Sequence, residues 1–274
     1  MHNPREVLDR PAPPPQVTVA YGSHPDQIAD VWLPATSSGL VIYVHGGFWR
    51  AEWDRTHARP LANALVAEGY TVATIEYRRT GQEGGGWPGS FDDVALAFDT
   101  LPRLVAEVAG GGAAGVSGPV VLAGHSAGGH LALWGAVRHR LPEDSPWRLA
   151  SPPKIAGVLA LAPVADLADA YQRKLGDGAV AELLGDGPEA RPERYAATDP
   201  GALPAPDVPV VLVHGALDDR VPVAQSQRYP APLVELPDIE HFGVIDPLSP
   251  AWPAVVEALH ALVTAGDAFR AGDT

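Results

Sequence analysis

The stretch GHSAGGHLALWGA, residues 124–136, places one serine between small residues at the point where a strand gives way to a helix. The preceding run PVVLAG (119–124) is typical of a buried strand, and the apolar run after the serine favours a helix. Gly124 and Gly128 flank Ser126 with the spacing G-x-S-x-G, the pattern of a tight strand-to-helix turn that exposes a nucleophilic serine above a sheet. A side chain at either glycine is expected to clash with a neighbouring part of the chain. The stretch therefore predicts Ser126 as a nucleophile at the end of a strand.

Strand and helix patterns alternate along the rest of the chain. The predicted strands are QVTVAYG (16–22), IADVWLP (28–34), LVIYVHGG (40–47), TVATIEYR (71–78), PVVLAG (119–124), IAGVLALAP (155–163), VPVVLVHG (208–215) and APLVELP (231–237). The predicted helices cover residues 59–70, 90–109, 127–139, 222–229 and 250–266, and Ser90 is expected to cap the second of them. Because continuously apolar strands alternate with helices, the fold class is α/β, with a mostly parallel central sheet and helices on both faces.

Proline and glycine indicate how the chain is divided. The stretch PAPPP (11–15) lacks most of its backbone donors, so residues 1–15 are expected to form an extended N-terminal arm. Residues 16–274 are expected to form a single domain, a common size for an α/β protein. Residues 164–208 show little periodicity and are long for a loop, which predicts a cap or lid insertion.

The composition indicates a globular protein and bounds its partners. Hydrophobic residues make up 46% of the chain and charged residues 19%. The balance of 19 Lys+Arg against 33 Asp+Glu gives a net charge of -14, which argues against binding to nucleic acid or to an anionic membrane surface. The opening residues lack the apolar core of a signal peptide and no run is long enough to span a bilayer, so we expect a cytoplasmic protein. An apolar face on the last predicted helix is compatible with a homodimer.

Neither a metal nor a cofactor is expected. The chain has no cysteine and no HExxH motif, and His125 and His130 are five residues apart, which puts them on different faces of a helix. The run GGGWPG (84–89) has glycines but lacks the lysine and the strand-to-helix position of a phosphate-binding loop.

A serine hydroxyl needs a general base and an acid that orients the base. In this strand-turn-helix setting the partners follow in the order Ser, acid, His. The run HGALDDRVP (214–222) follows a predicted strand and offers Asp218 and Asp219 as candidate acids. Of the two histidines further along, His260 lies within the last predicted helix, whereas His241 lies on a loop after a strand. His241 is therefore the candidate base.

Backbone N–H groups are the expected donors to the oxyanion of the reaction intermediate. One is the N–H of Ala127, directly after the serine. The loop HGGFWR (45–50) follows a predicted buried strand, and Gly46 and Gly47 leave its N–H groups unobstructed. We expect Gly47, with Gly46 or Phe48, to supply the second donor.

Two aromatic residues of the same loop are candidate substrate contacts. Phe48 and Trp49 stand beside the predicted oxyanion donors and could line an aromatic pocket. The alternative for Trp49 is that its indole packs in the core and anchors the loop.

The motifs HGGFW, EYRR with WPGSFDDV, GHSAGGHLA, HGALDDRVP and EHF together resemble the α/β-hydrolase superfamily, and within it the arylformamidase (kynurenine formamidase) and HGGxW carboxylesterase group. The resemblance extends over residues 16–266 and implies an α/β-hydrolase fold with a short cap and no cofactor. It implies a catalytic triad of Ser126, Asp218 and His241, which selects Asp218 over Asp219. It departs from the HGGG esterases at Phe48, which occupies the position of their third glycine.

The resemblance also implies a small acyl compound as substrate. The main expectation is hydrolysis of an aryl formamide such as N-formylkynurenine through an acyl-enzyme, in tryptophan catabolism. The first alternative is a carboxylesterase that acts on short-chain or aryl esters. A non-catalytic, small-molecule-binding protein of the same fold is the alternative of another class.

Overall fold

The computed structural model describes residues 5–110 and 118–272. Within them, eight strands form one sheet in the order β1-β2-β4-β3-β5-β6-β7-β8. The strands are β1 (Val17–Ala20), β2 (Ile28–Trp32), β3 (Leu40–Val44), β4 (Thr71–Ile75), β5 (Val120–His125), β6 (Gly157–Leu161), β7 (Val210–Gly215) and β8 (Leu233–Leu236). β1 with β2 and β2 with β4 are antiparallel, and every other pair is parallel. The prediction of an α/β fold with a mostly parallel sheet is confirmed.

Helices cover both faces of this sheet. They are α1 (Glu6–Asp9), α2 (Arg59–Ala67), α3 (Gly89–Val108), α4 (Ala127–Ala136), α5 (Leu167–Gln172), α6 (Leu175–Leu184), α7 (Pro192–Thr198), α8 (Ala224–Arg228) and α9 (Trp252–Gly272). Alternate residues of the buried strands point to opposite faces, which creates two cores. One core contains Ile42, Val44, Phe91 of α3 and Leu131 of α4, and the other contains Val41, Tyr43, Leu61 of α2 and Leu259 of α9. In the described part of the chain, no helix combines the length and apolarity needed to cross a membrane.

The predicted cap at Ser90 is wrong. α3 begins at Gly89, and the Ser90 hydroxyl donates to the carbonyl of Arg78 (2.5 Å) and accepts from the N–H of Gly86 (3.0 Å). A Cβ at Gly89 would lie 1.8 Å from the Gly84 carbonyl oxygen, because the preceding loop folds back on the start of the helix. Ser90 therefore fastens that loop rather than capping α3.

Two connecting regions differ from a plain loop. Residues 164–208, the predicted cap, contain the short helices α5, α6 and α7 between β6 and β7. The described part of the predicted N-terminal arm is not simply extended: it contains α1, whose Val7 is 1% exposed and belongs to the core beside α2 and α9. An apolar side chain placed on one face of that single turn gives the segment a docking point, which a composition rich in proline does not reveal.

Candidate active site

The loops that follow β3, β5, β7 and β8 meet at the carboxyl edge of the sheet. Ser126 follows β5, Asp218 follows β7 and His241 follows β8. Ser126 and His241 both line a cavity of about 230 Å³ beside Gly46 and Gly47 of the loop after β3. In open parallel sheets this edge is where ligands bind.

Ser126 occupies a strained turn between β5 and α4. Its φ of 56° and ψ of -118° lie outside the regions that ordinary residues favour. A Cβ at Gly124 would lie 2.2 Å from the Gly128 carbonyl oxygen, and a Cβ at Gly128 would lie 2.0 Å from the Val44 carbonyl oxygen. The glycines on both sides of the serine thus allow the close backbone contacts that the G-x-S-x-G spacing predicts.

His241 and Asp218 form a buried hydrogen-bonded pair. The Nδ1 of His241 donates to Oδ2 of Asp218 at 2.6 Å. Nε2 has no hydrogen-bond partner among residues 5–110 and 118–272, and His241 shares the cavity with Ser126, so this nitrogen is available to the serine hydroxyl. The competing candidates lie elsewhere: the Asp219 side chain is 77% exposed, and His260 is exposed on α9 against the ring of Tyr70.

His214 is a second donor to Asp218, and sequence reasoning missed it. Its Nε2 lies 3.0 Å from Oδ2 of Asp218 and 2.9 Å from the Val221 carbonyl oxygen, while its Nδ1 lies 2.7 Å from the Ser226 hydroxyl oxygen. The backbone N–H groups of Arg220 and Val221 donate to Oδ1 of Asp218 at 2.8 Å each. The available signal was the position of His214 on β7, four residues before the acid.

These bonds fix the charge of Asp218. Burial by itself would raise the pKa of the carboxyl group, but the hydrogen bonds from His214 and His241, the charge of His241 and the Val221 N–H outweigh it and hold the pKa well below its ordinary value. Asp218 therefore remains a carboxylate that can orient His241 and stabilise its cation.

His125, directly before the nucleophile, fixes the backbone that carries the base. Its Nε2 donates to the carbonyl oxygen of His241 at 2.9 Å, and the two rings lie 4.5 Å apart between centroids. Burial and the nearby His241 ring hold the pKa of His125 well below its ordinary value. A neutral His125 thus acts as a hydrogen-bond donor to the loop after β8.

The loop after β3 lies against the serine. A Cβ at Gly46 would lie 3.1 Å from the Ser126 Cβ, and Gly47 has a φ of 109° with no room for a Cβ beside Trp53. Ala127 is the first residue of α4, so its N–H has no partner within the helix. The arrangement brings the predicted donors of Gly46, Gly47 and Ala127 to the serine.

A second buried histidine–carboxylate pair lies behind this loop. The Nε2 of His45 lies 2.9 Å from Oε1 of Glu76, and its Nδ1 lies 2.7 Å from the carbonyl oxygen of Gly46. Glu76 also lies 3.0 Å from the guanidinium of Arg79 and accepts from the N–H of Arg55 at 3.1 Å. Burial would raise the pKa of Glu76, but His45 and Arg79 outweigh it and lower the pKa below its ordinary value. The pair holds the first glycine of the loop in place.

Phe48 and Trp49 point in different directions. Both have left-handed backbones, with φ of 52° and 56°. Phe48 lines the cavity, whereas Trp49 is 1% exposed, packs edge-on against His130 and does not line the cavity. The Trp49 carbonyl accepts from the N–H of Thr80 at 2.8 Å. The expectation that Trp49 contacts substrate is therefore wrong, and its alternative role as an anchor of the loop is the one the packing shows.

No metal-binding cluster is present in the described ranges, where three or more His, Asp or Glu side chains nowhere converge as ligands. The sequence contains no cysteine.

Comparison with known proteins agrees with this fold and site. The family profile described as BD-FAE matches residues 29–233, a span that includes Ser126 and Asp218 and ends before His241. The fold and this match define the chain as an α/β-hydrolase. It belongs to the BD-FAE family.

Two curated proteins are similar to parts of the chain. "Esterase LipQ" of Mycobacterium tuberculosis is 25% identical over 241 residues, which cover 79% of this chain and 54% of that protein. "Kynurenine formamidase" of Danio rerio is 34% identical over 117 residues, which cover 42% of this chain and 36% of that protein. The chain thus matches about half of the first relative's length and about a third of the second's.

Among solved structures, Esterase B from Lactobacillus rhamnosis, inhibited by a tributyrin phosphonate, superposes with a TM-score of 0.74. Its sequence is 20% identical, and the match covers 98% of this chain and 93% of that one. At this identity the likeness shows the fold.

Proposed function

We propose that the protein is a serine hydrolase that cleaves small carboxylic esters through an acyl-enzyme. The observation that carries the proposal is the buried Asp218–His241 pair, whose histidine lines the same cavity as Ser126. Both this pair and the strained turn that carries Ser126, the elbow, lie at the carboxyl edge of the sheet, and the similarity to "Esterase LipQ" over 79% of the chain supports an ester as substrate.

Each residue has a defined part in this reaction. Nε2 of His241 takes the proton of the Ser126 hydroxyl as its oxygen attacks the acyl carbon, and then gives it to the leaving alkoxide. The resulting acyl-enzyme is hydrolysed by water, with His241 again acting as the base. Asp218 keeps Nδ1 protonated and stabilises the imidazolium throughout.

The tetrahedral intermediate carries its negative charge on the former carbonyl oxygen. We assign its stabilisation to the N–H groups of Gly47 and Ala127, with Gly46 shaping the loop beside Ser126. Removing a single donor of this kind costs roughly 3 to 4 kcal/mol of transition-state stabilisation.

The cavity favours a small acyl group. Its volume of about 230 Å³ is below the roughly 300–1,000 Å³ common for ligand pockets, and Phe48 supplies an apolar wall. We therefore expect acetyl to butyryl esters to be cleaved well.

An aryl formamide is the second candidate, because a formyl group is the smallest acyl group and "Kynurenine formamidase" of Danio rerio is similar over 117 residues. The charges at the cavity are compatible with N-formyl-L-kynurenine, which bears both an ammonium and a carboxylate. Side chains of both signs line the cavity: Arg5, Arg50, Arg220, Glu52 and Asp177.

The test compares p-nitrophenyl butyrate with N-formyl-L-kynurenine at equal enzyme concentration. We expect Ser126→Ala to lower kcat by roughly 10⁵-fold or more on whichever compound is turned over, because the variant lacks the nucleophile. The matched control is Ser151→Ala, an exposed serine before β6, which should retain wild-type rates.

The two substrates separate the candidates. A higher kcat/KM on the ester supports the esterase, and a higher kcat/KM on the formamide replaces it with the arylformamidase. A folded Ser126→Ala variant that retains most of its activity would overturn both.

A further inference from the structure

Val7, Arg10 and Pro13 attach the segment 5–13 to the rest of the domain. Val7 is buried in the core beside α2 and α9. The guanidinium of Arg10 forms two hydrogen bonds with the carboxylate of Asp246, whose side chain is 1% exposed. The carbonyl of Pro13 accepts from the indole N–H of Trp32 at 3.4 Å and the amide of Asn63 at 3.0 Å. We call this segment the strap.

The strap reaches the candidate active site. Leu8 and Arg5 line the same cavity as Ser126 and His241. The guanidinium carbon of Arg5 lies 5.7 Å above the ring centre of Phe242, which itself packs edge-on against His241 at 5.0 Å. The strap thus forms part of the wall around the reacting groups.

Among the residues that the structure describes, Leu8 is one of four apolar side chains on this wall, and it is the one that the strap supplies. The others are Phe48, Trp53 and Phe242. Asp246, which binds Arg10, also lies close to the candidate base in the sequence, since it is five residues after His241 in the connection between β8 and α9.

We propose that Leu8 is a specificity-determining residue that limits the length of the acyl chain, and that Arg10 is the positioning residue that holds Leu8 there. The inference rests on the proposed function, because it concerns the acyl group transferred to Ser126. Shortening Leu8 removes three carbons from the wall and lets a longer chain enter. Loosening the Arg10–Asp246 bond moves the wall outward with the same consequence.

The experiment measures the ratio of kcat/KM for p-nitrophenyl octanoate to that for p-nitrophenyl acetate. We expect Leu8→Ala to raise this ratio about tenfold or more, since one methylene in an apolar pocket changes kcat/KM by roughly 10- to 200-fold. Leu8→Trp should lower the ratio, and Arg10→Gln should raise it, with Arg10→Lys between Arg10→Gln and wild type. Arg103→Gln, on the exposed face of α3, is the control and should leave the ratio unchanged.

A parallel measurement uses p-nitrophenyl esters of methyl- and octylphosphonate and follows the added mass on Ser126, so that it does not depend on turnover. Thermal unfolding first checks that Leu8→Ala and Leu8→Trp are folded. If the ratio of octyl to methyl labelling rates then differs from the wild-type ratio by less than twofold in both variants, the role of Leu8 is overturned. Absence of labelling at Ser126 by either phosphonate in the wild type overturns the proposed function itself, and with it the inference.

Discussion

The two buried histidine–carboxylate pairs, His241 with Asp218 and His45 with Glu76, are alike in chemistry and differ in what the second ring nitrogen does. Their nitrogen–oxygen distances are 2.6 and 2.9 Å, and all four side chains are buried. Nδ1 of His45 contacts the Gly46 carbonyl, whereas Nε2 of His241, a residue that lines the cavity, has no hydrogen-bond partner in the described residues. The unoccupied nitrogen, rather than the buried pair as such, makes a histidine available as a base.

Among changes to the two histidine–carboxylate pairs, Asp218→Asn gives the largest expected effect. The amide keeps the shape of the side chain but no longer fixes the tautomer or stabilises the cation of His241, so we expect kcat on the better substrate to fall about 10⁴-fold. Asp219→Asn is the matched control, because that side chain is exposed next to the same loop. A loss below tenfold in a folded Asp218→Asn variant would remove this pair from the reaction.

For Glu76→Gln we expect a smaller loss of activity than for Asp218→Asn, together with a large loss of stability. The change removes a buried carboxylate that His45 and Arg79 both contact, and removing one partner of a buried pair in this way costs about 3 to 5 kcal/mol of unfolding free energy. Because the pair only holds the loop of Gly46, we expect kcat to fall by about 10- to 100-fold, with KM less affected.

Urea unfolding and steady-state kinetics on the same Glu76→Gln sample measure both quantities. If this variant lost as much activity as Asp218→Asn while keeping wild-type stability, the distinction between the two pairs would be wrong.

His214 is a third buried histidine to compare with His241 and His45. Both of its ring nitrogens have hydrogen-bond partners, as those of His45 do. We expect His214→Gln to lower kcat by about tenfold, since Asp218 loses one hydrogen bond of the charged type, worth about 1.5 to 3 kcal/mol, but keeps His241 and two backbone N–H donors. His139→Gln, on the 3₁₀ turn after α4 and paired with Asp207, is a control that should retain activity. A 10³-fold loss in folded His214→Gln would show that His241 and the two backbone N–H groups are not enough to hold Asp218 in place.

The parts of the site that follow from short segments were predictable from the sequence. The elbow at Ser126 is encoded by two glycines within five residues, and the position of His241 follows from strand order. The contact between His45 and Glu76 was not predictable, because it depends on the parallel register of β3 and β4, which brings together residues 31 positions apart.

The strap and Trp49 show two further reasons why parts of the structure could not be predicted from the sequence. The bond between Arg10 and Asp246 joins residues 236 positions apart and leaves no local pattern. At Phe48 and Trp49, two successive left-handed residues send neighbouring rings to opposite sides of the loop, a direction that neither a strand nor a helix period gives.

The smallest expected effect is on acid stability, where the two pairs should behave alike. The folded protein lowers the pKa of both Asp218 and Glu76 below their ordinary values of 3.8 and 4.5, which an unfolded chain retains. The unfolded state therefore takes up protons first as the pH falls, and the stability that these groups contribute is present above about pH 5 and is lost below it.

In urea unfolding from pH 6 to pH 3, the free energy of unfolding should fall less steeply for Glu76→Gln and for Asp218→Asn than for the wild type, by up to about 1.4 kcal/mol per pH unit for each carboxyl group removed. Between pH 6 and about pH 5 the curves should run parallel; curves that stayed parallel down to pH 3 would contradict the lowered pKa values in both pairs.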